Sequence, residues 1–298
     1  MIELTPFAPI LRAFGVLYWI IAFGALCAAI AVPKSPGLKV FLAVCVVAAF
    51  GWLPARWHWR IHEARERLAA SVALFRQRCS TAGEKIHRTV DGVDGVLLLK
   101  LRPRDQNFDD QFVMNDPYGN DLSGDGYIES FLRGGIERGG MPSHIGYMYV
   151  DVLGDGDLSF RYTGSVREVE ETSSVLIGGS GEKFKTTRFV LDKVVLREAP
   201  AHYGVTFDDI STPEDRAHWI AGSSLKIIDL QTREVIAERV GYMVDLQQGN
   251  RAGGRSPWLY AADNACPAFS NGRHGNLSQL GAADKFTEKV LKPSVVSQ

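Results

Sequence analysis

The run Ala13-Phe14-Gly15-Val16-Leu17-Tyr18-Trp19-Ile20-Ile21-Ala22-Phe23 decides how this chain is organised. It continues without a charge to Val32, and from Ile10 onward Arg12 is its only ionised side chain. A membrane-crossing helix needs about 20 apolar residues at about 1.5 Å of rise each. The stretch meets that length with room to tilt. A second run, Leu38 to Leu53, carries Lys39 only at its outer end, and Pro33-Lys34-Ser35-Pro36-Gly37 separates the two. The expected element is a transmembrane hairpin over residues 1–54, with spans at 10–32 and 38–53.

Directly behind the second run, Trp52, Arg56, Trp57, Trp59 and Arg60 alternate indoles with guanidinium groups. Indoles settle at the headgroup level and arginine snorkels there, so the cluster reads as a membrane-interface anchor. Two other readings exist. The runs could be buried helices of a soluble core, or Ala29-Ile30-Ala31 could end a cleaved signal peptide. The first run is longer than a usual signal core and holds Tyr18 and Trp19. A lipoprotein signal fits badly, because Leu26 precedes Cys27 where a small residue is expected.

With two spans, both tails share one side of the bilayer. Arg12, Arg56, Arg60, Arg65 and Arg67 flank the membrane there, against Lys34 and Lys39 in the connecting loop. The positive-inside rule then places the large domain in the cytoplasm. Cysteine usage points the other way. Cys27 and Cys45 lie in the apolar runs, which leaves Cys79 and Cys266 near the two ends of the soluble part. A bridge between them would suit an extracytoplasmic, oxidising compartment. Two separate buried thiols fit the sequence equally well.

The whole chain has 298 residues, 46% hydrophobic and 22% charged, with a formal net charge of −1. That excludes a largely disordered protein and gives no electrostatic case for nucleic acid as a partner. Ile61, Leu68, Val72, Phe75 and Cys79 recur at helical spacing. They predict an amphipathic juxtamembrane helix over residues 55–80 that docks on the domain or pairs with a second copy. Residues 81–293 form the soluble part and 294–298 a loose tail.

From Val93 onward, short strand-like runs alternate with Gly, Asp, Asn and Pro. Strands are expected at Val96–Leu101, Tyr147–Val152, Leu158–Val166, Phe184–Leu196, Val205–Phe207, Leu225–Leu230 and Val235–Leu246, the last two joined as a hairpin. Short helices are expected near Ile128–Leu132, at Pro213–Ile220 and at Ala282–Leu291. The fold class is mainly antiparallel β, a sandwich or partly closed barrel with peripheral helices.

The most unusual stretch is Asp105 to Glu129, which has no Lys or Arg. Asp109, Asp110, Asp121, Asp125 and Glu129 make it the preferred contact surface, one that suits a basic protein partner. Within it, Asp121-Leu122-Ser123-Gly124-Asp125-Gly126-Tyr127-Ile128-Glu129 resembles the start of an EF-hand loop. Oxygen donors fall at Asp121, Ser123, Asp125 and Glu129, a pattern that calcium could use. The loop departs from that pattern at Leu132, where a bidentate glutamate belongs, and an Asp/Gly-rich surface turn explains the same residues. Calcium is the cofactor this stretch suggests; His58 and His62, four apart beside Glu63, could place two imidazoles on one helix face for a metal, though an interfacial position explains them as well.

Ile177-Gly178-Gly179-Ser180-Gly181-Glu182-Lys183 lacks the ending of a phosphate loop, and Ser180 has glycine at only one of the two offsets of a nucleophile elbow. Cys266 near His274 invites a thiol-nucleophile reading, though a structural or bridged thiol accounts for it better. The expected function is a membrane-anchored, non-catalytic binding protein, for instance an inhibitor or immunity-type protein. A calcium-stabilised envelope domain and a membrane-bound hydrolase are the alternatives.

Overall fold

The computed structural model describes residues 8–102, 110–118, 121–134, 146–154, 158–172, 181, 183–269 and 279–294. The chain divides into two compact units, Met1–Arg67 and Leu68–Gln298. The first contains α1 (Ala8–Ala31) and the opening part of α2 (Pro36–Cys79). Both hold windows long and apolar enough to cross a membrane, with mean hydropathy of 2.2 and 2.0. Their apolar side chains are largely uncovered, Phe23 at 70% and Phe41 at 63% among them. A core helix of a soluble protein would bury such a surface. Tyr18 packs its ring 5.5 Å from Phe50 and donates its hydroxyl to the Phe50 carbonyl.

α2 runs unbroken for 44 residues. Pro36 opens it, where a missing N–H costs nothing. Pro54 lies inside without ending it, so the separate juxtamembrane helix expected from the sequence continues the second apolar run. From Leu68 onward the helix belongs to the second unit, and its contacts there are specific. Leu74 and Phe75 pack with Ile220, Tyr242 and Val244. Arg78 Nε donates to Asp215 Oδ1 at 2.8 Å, and Cys79 is disulfide-bonded to Cys266.

The second unit is built on one nine-stranded sheet. Its strands are β1 (Gly83–Ile86), β3 (Gly95–Leu98), β4 (Tyr149–Leu153), β5 (Ser159–Thr172), β6 (Lys183–Val195), β7 (Tyr203–Asp209), β8 (Ile220–Asp229), β9 (Glu234–Val244) and β10 (Ala265–Cys266). The order is β1-β9-β8-β7-β3-β4-β5-β6, with β10 also on β9. Only β3–β4 and β3–β7 are parallel. A small parallel pair joins β2 (Val90–Val93) to β11 (Leu291–Pro293). Each of the seven expected strand segments overlaps a strand. The β8–β9 hairpin turns at Arg233, which adopts a φ of 61°, and Asp229 Oδ1 accepts from the N–H groups of Gln231 and Thr232.

Among the described residues the sheet is mixed and mostly antiparallel, runs from β1 to β6 and does not close on itself, with no second large sheet packed on it. Helices cover one face instead. Tyr127, Ile128, Phe131 and Leu132 come from α3 (Asp125–Arg133). Ala283, Phe286 and Val290 come from the helix Ala282–Val290, called α6 below. They pack on Val96, Leu98, Val150, Val152, Val205, Phe207 and Ile227. The short helices expected near Ile128–Leu132 and at Ala282–Leu291 therefore supply one side of this core. Two short helices, α4 (Pro213–Ala217) and α5 (Pro257–Ala261), sit near the β8–β9 end.

Candidate binding site

A cleft of about 320 Å³ opens between three separated segments, lined by Phe112, Val113, Met114, Asn115, Arg216, Trp219 and Trp258. Each wall has a local cause. Residues 111–113 form a turn in which Asp110 Oδ1 accepts the Phe112 N–H at 3.0 Å. Gln111 Oε1 accepts from the backbone N–H groups of Trp258 and Leu259 at the start of α5, tying that turn to the opposite wall. Thr212 and Asp215 form a capping box that starts α4, and Pro213 sits at its first position. α4 then delivers Arg216 and, two residues past its end, Trp219.

Trp219 stands at a φ of 55°, in the left-handed region that bulky side chains avoid. Strain of this kind persists where neighbours over-determine it, and it gathers at ligand-holding positions. Here the indole packs 5.1 Å from Trp258 at 34°, and Phe112 meets it edge-on at 5.8 Å. Arg216 donates to Asp209 Oδ2 at 3.1 Å and to the Asn115 carbonyl, and lies 5.6 Å from the Trp258 ring. The Arg251 guanidinium covers Phe112 at 3.8 Å. The buried Trp258 Nε1 has no hydrogen-bond partner among the described residues. The result is an aromatic slot with planar cations at its rim. Its volume lies at the small end for ligand sites, room for one side chain or a small molecule.

Part of the acidic stretch forms this cleft, but its members do not form one surface. Asp109 lies outside the described residues, and Asp110 is exposed at the cleft wall. Asp116 is buried against Arg102, whose Nη1 donates to it at 3.1 Å. Asp121 is buried too, and its carboxylate faces inward. Oδ1 accepts from Leu122 and Gly281 at 2.7 Å each, and Oδ2 accepts from Ala283 at 3.0 Å. It thereby caps α6, whose own N-cap residue, Gly281, has no side chain to do so. Ser123 is half-buried before α3, Asp125 opens that helix exposed, and Glu129 pairs with Arg133 at 3.6 Å. Burial raises the Glu129 carboxyl above its usual range against the pull of Arg133.

Of the four oxygen donors of the EF-hand-like loop, Asp121 is committed to capping α6 and Glu129 to Arg133. Among the described residues no three His, Cys, Asp or Glu side chains converge to hold a metal ion. One turn into α6, Asp284 is 1% exposed and neither oxygen has a hydrogen-bond partner among the described residues. Burial, with Asp121 and Glu288 adding like charge, pushes its pKa up to about 8. It carries a proton at neutral pH.

The catalytic readings meet local structure of another kind. Cys266 is bonded to Cys79 and offers no thiolate, and His274 and Ser180 lie outside the described residues. Ser71 Oγ does lie 3.0 Å from His218 Nδ1, with Gln248 Oε1 also at 3.0 Å. Ser71 is fully buried, so this contact fastens α2 to the domain instead of presenting a nucleophile. Trp52, Trp57 and Trp59 are all exposed on α2.

No family model, curated protein or solved structure matches this chain.

Proposed function

We propose that this chain is a membrane-anchored, non-catalytic binding protein that takes its ligand in the Trp219–Trp258 cleft. The observation that carries the reading is the left-handed Trp219, held at a conformational cost beside a second indole and facing an open slot. Rigid aromatic surface bordered by arginine is the composition of binding hot spots. An inhibitor or immunity-type protein, which holds a toxin at the bilayer surface, has this form: an anchor, a scaffold and a contact site.

In this account α1 and α2 both cross the bilayer, and the domain faces the oxidising side. The Cys79–Cys266 bond supports that side, since such bonds persist outside the reducing cytosol. The arginines behind the second span argue for the cytoplasm, but long domains are translocated largely regardless of flanking charge. The bond joins the end of α2 to β10, so it also ties the anchor's continuation to the sheet.

The cleft is tested by placing a photo-crosslinking amino acid at Val113, which is 72% exposed at the rim, in the full chain in its native membrane. The account expects a discrete adduct that disappears when Trp219→Ala is added and that is absent when the probe is moved to Thr232, exposed on the β8–β9 turn. Adducts unchanged by Trp219→Ala would show that the cleft is not the contact site.

A further inference from the structure

β6 closes one end of the sheet, and its register with β5 runs without a shift from Phe160↔Val195 to Thr172↔Lys183. Its other edge is unpaired among the described residues. Thirteen residues of strand extend about 44 Å at about 3.4 Å each, a long free edge. Proteins usually blunt such edges with short strands, bulges or proline, because a row of unsatisfied N–H and C=O groups recruits another strand. β6 has none of these devices.

Most of its charges are already balanced within the hairpin, and Lys193 lies over the Phe160 ring at 3.8 Å. Lys183 pairs with Glu170 at 3.0 Å and Lys185 with Glu168 at 2.7 Å. Arg188 pairs with Glu171, and Arg167 with Asp192. Self-repulsion therefore guards the edge poorly. Phe184, Val194 and Val195 stand 46–59% exposed along it.

We propose that β6 is the seam of a homodimer, pairing antiparallel with β6 of a second copy about a two-fold axis through Val190. Symmetry fixes every pairing once the axis is chosen, and this one is self-complementary. Phe189 falls opposite Leu191 twice, and Arg188 opposite Asp192 twice. Thr187 meets Lys193, Thr186 meets Val194, and Lys185 meets Val195. No like charges face one another. The intrachain pairs Arg188–Glu171 and Arg167–Asp192 would join into an alternating row across the seam. Isologous two-fold contacts are the commonest route to oligomers, and confinement to one bilayer raises the effective concentration for pairing. The cleft lies on other elements, so this inference and the binding function fail or succeed separately.

The test uses the full chain in lipid nanodiscs or native membranes, with Cys27→Ala and Cys45→Ala to remove the other thiols. Val190→Cys should form a disulfide-linked dimer on mild oxidation, because the two Val190 residues face each other at the axis. Thr186→Cys alone should not, since its copy lies about 27 Å away along the paired strands. A mixture of Thr186→Cys and Val194→Cys chains should cross-link as a heterodimer. Failure of Val190→Cys to cross-link, or equal cross-linking at positions 186, 190 and 194, would overturn the seam.

Discussion

Gly249 approaches Trp219 so closely that a Cβ added to it would stand 1.9 Å from the indole Cζ2. The glycine also sits at a φ of 73°, so its position is set twice, by backbone and by space. Gly249→Ala should displace the indole, lower stability by about 1–3 kcal/mol and abolish the Val113 cross-link. Denaturation followed by tryptophan fluorescence reads both the midpoint and the changed environment of Trp219. An unshifted spectrum would mean that the cleft wall does not depend on this contact.

The Cys79–Cys266 bond closes a loop of 187 residues in sequence separation. Constraint of the unfolded chain by so long a loop stabilises by about 2–5 kcal/mol. Cys79→Ser/Cys266→Ser should lower the denaturation midpoint accordingly, and reductant should reproduce the loss in the unaltered protein. No difference between oxidised and reduced protein would contradict the bond's structural role.

Asp121 caps α6 with two hydrogen bonds, from Gly281 and Ala283. Asp121→Ala leaves those buried donors unmatched and should cost about 1–3 kcal/mol. Because this carboxylate is committed to the backbone, calcium should leave the melting temperature of the unaltered protein unchanged. A calcium-dependent rise that Asp121→Ala removes would restore the loop as a cation site.

Asp284, with a pKa of about 8 in the folded protein against about 3.9 unfolded, binds its proton more tightly when folded. Its contribution to stability is present in full below about pH 4 and is lost as pH rises through about 8. Asp284→Asn should therefore flatten this decline and be more stable than the unaltered protein at pH 8, with the advantage vanishing near pH 4. Asp229, held down at about 2 by Arg88 and backbone donors that outweigh its burial, acts in the opposite sense below about pH 4. Melting temperatures of both proteins across pH 4–9 check this; parallel curves would place the titration elsewhere.

The strands were legible because β-branched and aromatic residues alternate there between Gly, Asp and Asn punctuation. The covering helices were placed too, near Ile128–Leu132 and at Ala282–Leu291, but as short peripheral pieces. With nine residues each, nothing in their length shows that they cover a sheet face, so a sandwich or barrel looked natural for so many strands. The acidic stretch misled for a different reason. Composition shows that Asp116 and Asp121 are present, but only tertiary contacts turn them inward onto Arg102 and α6. The cleft left almost no local trace, since Phe112, Trp219 and Trp258 meet only through folding. A hint lies in tryptophans set close to Arg216, Arg251 and Arg255.

The account rests on a bridged domain held by its anchor on the oxidising side of the membrane. Its most direct test is membrane-impermeant thiol labelling of intact cells carrying the full chain with Cys27→Ala and Cys45→Ala, before and after reduction. Labelling of Cys79 and Cys266 from outside, and only after reduction, is the predicted result. Labelling that appears only once the membrane is broken would place the domain in the cytoplasm and contradict the account.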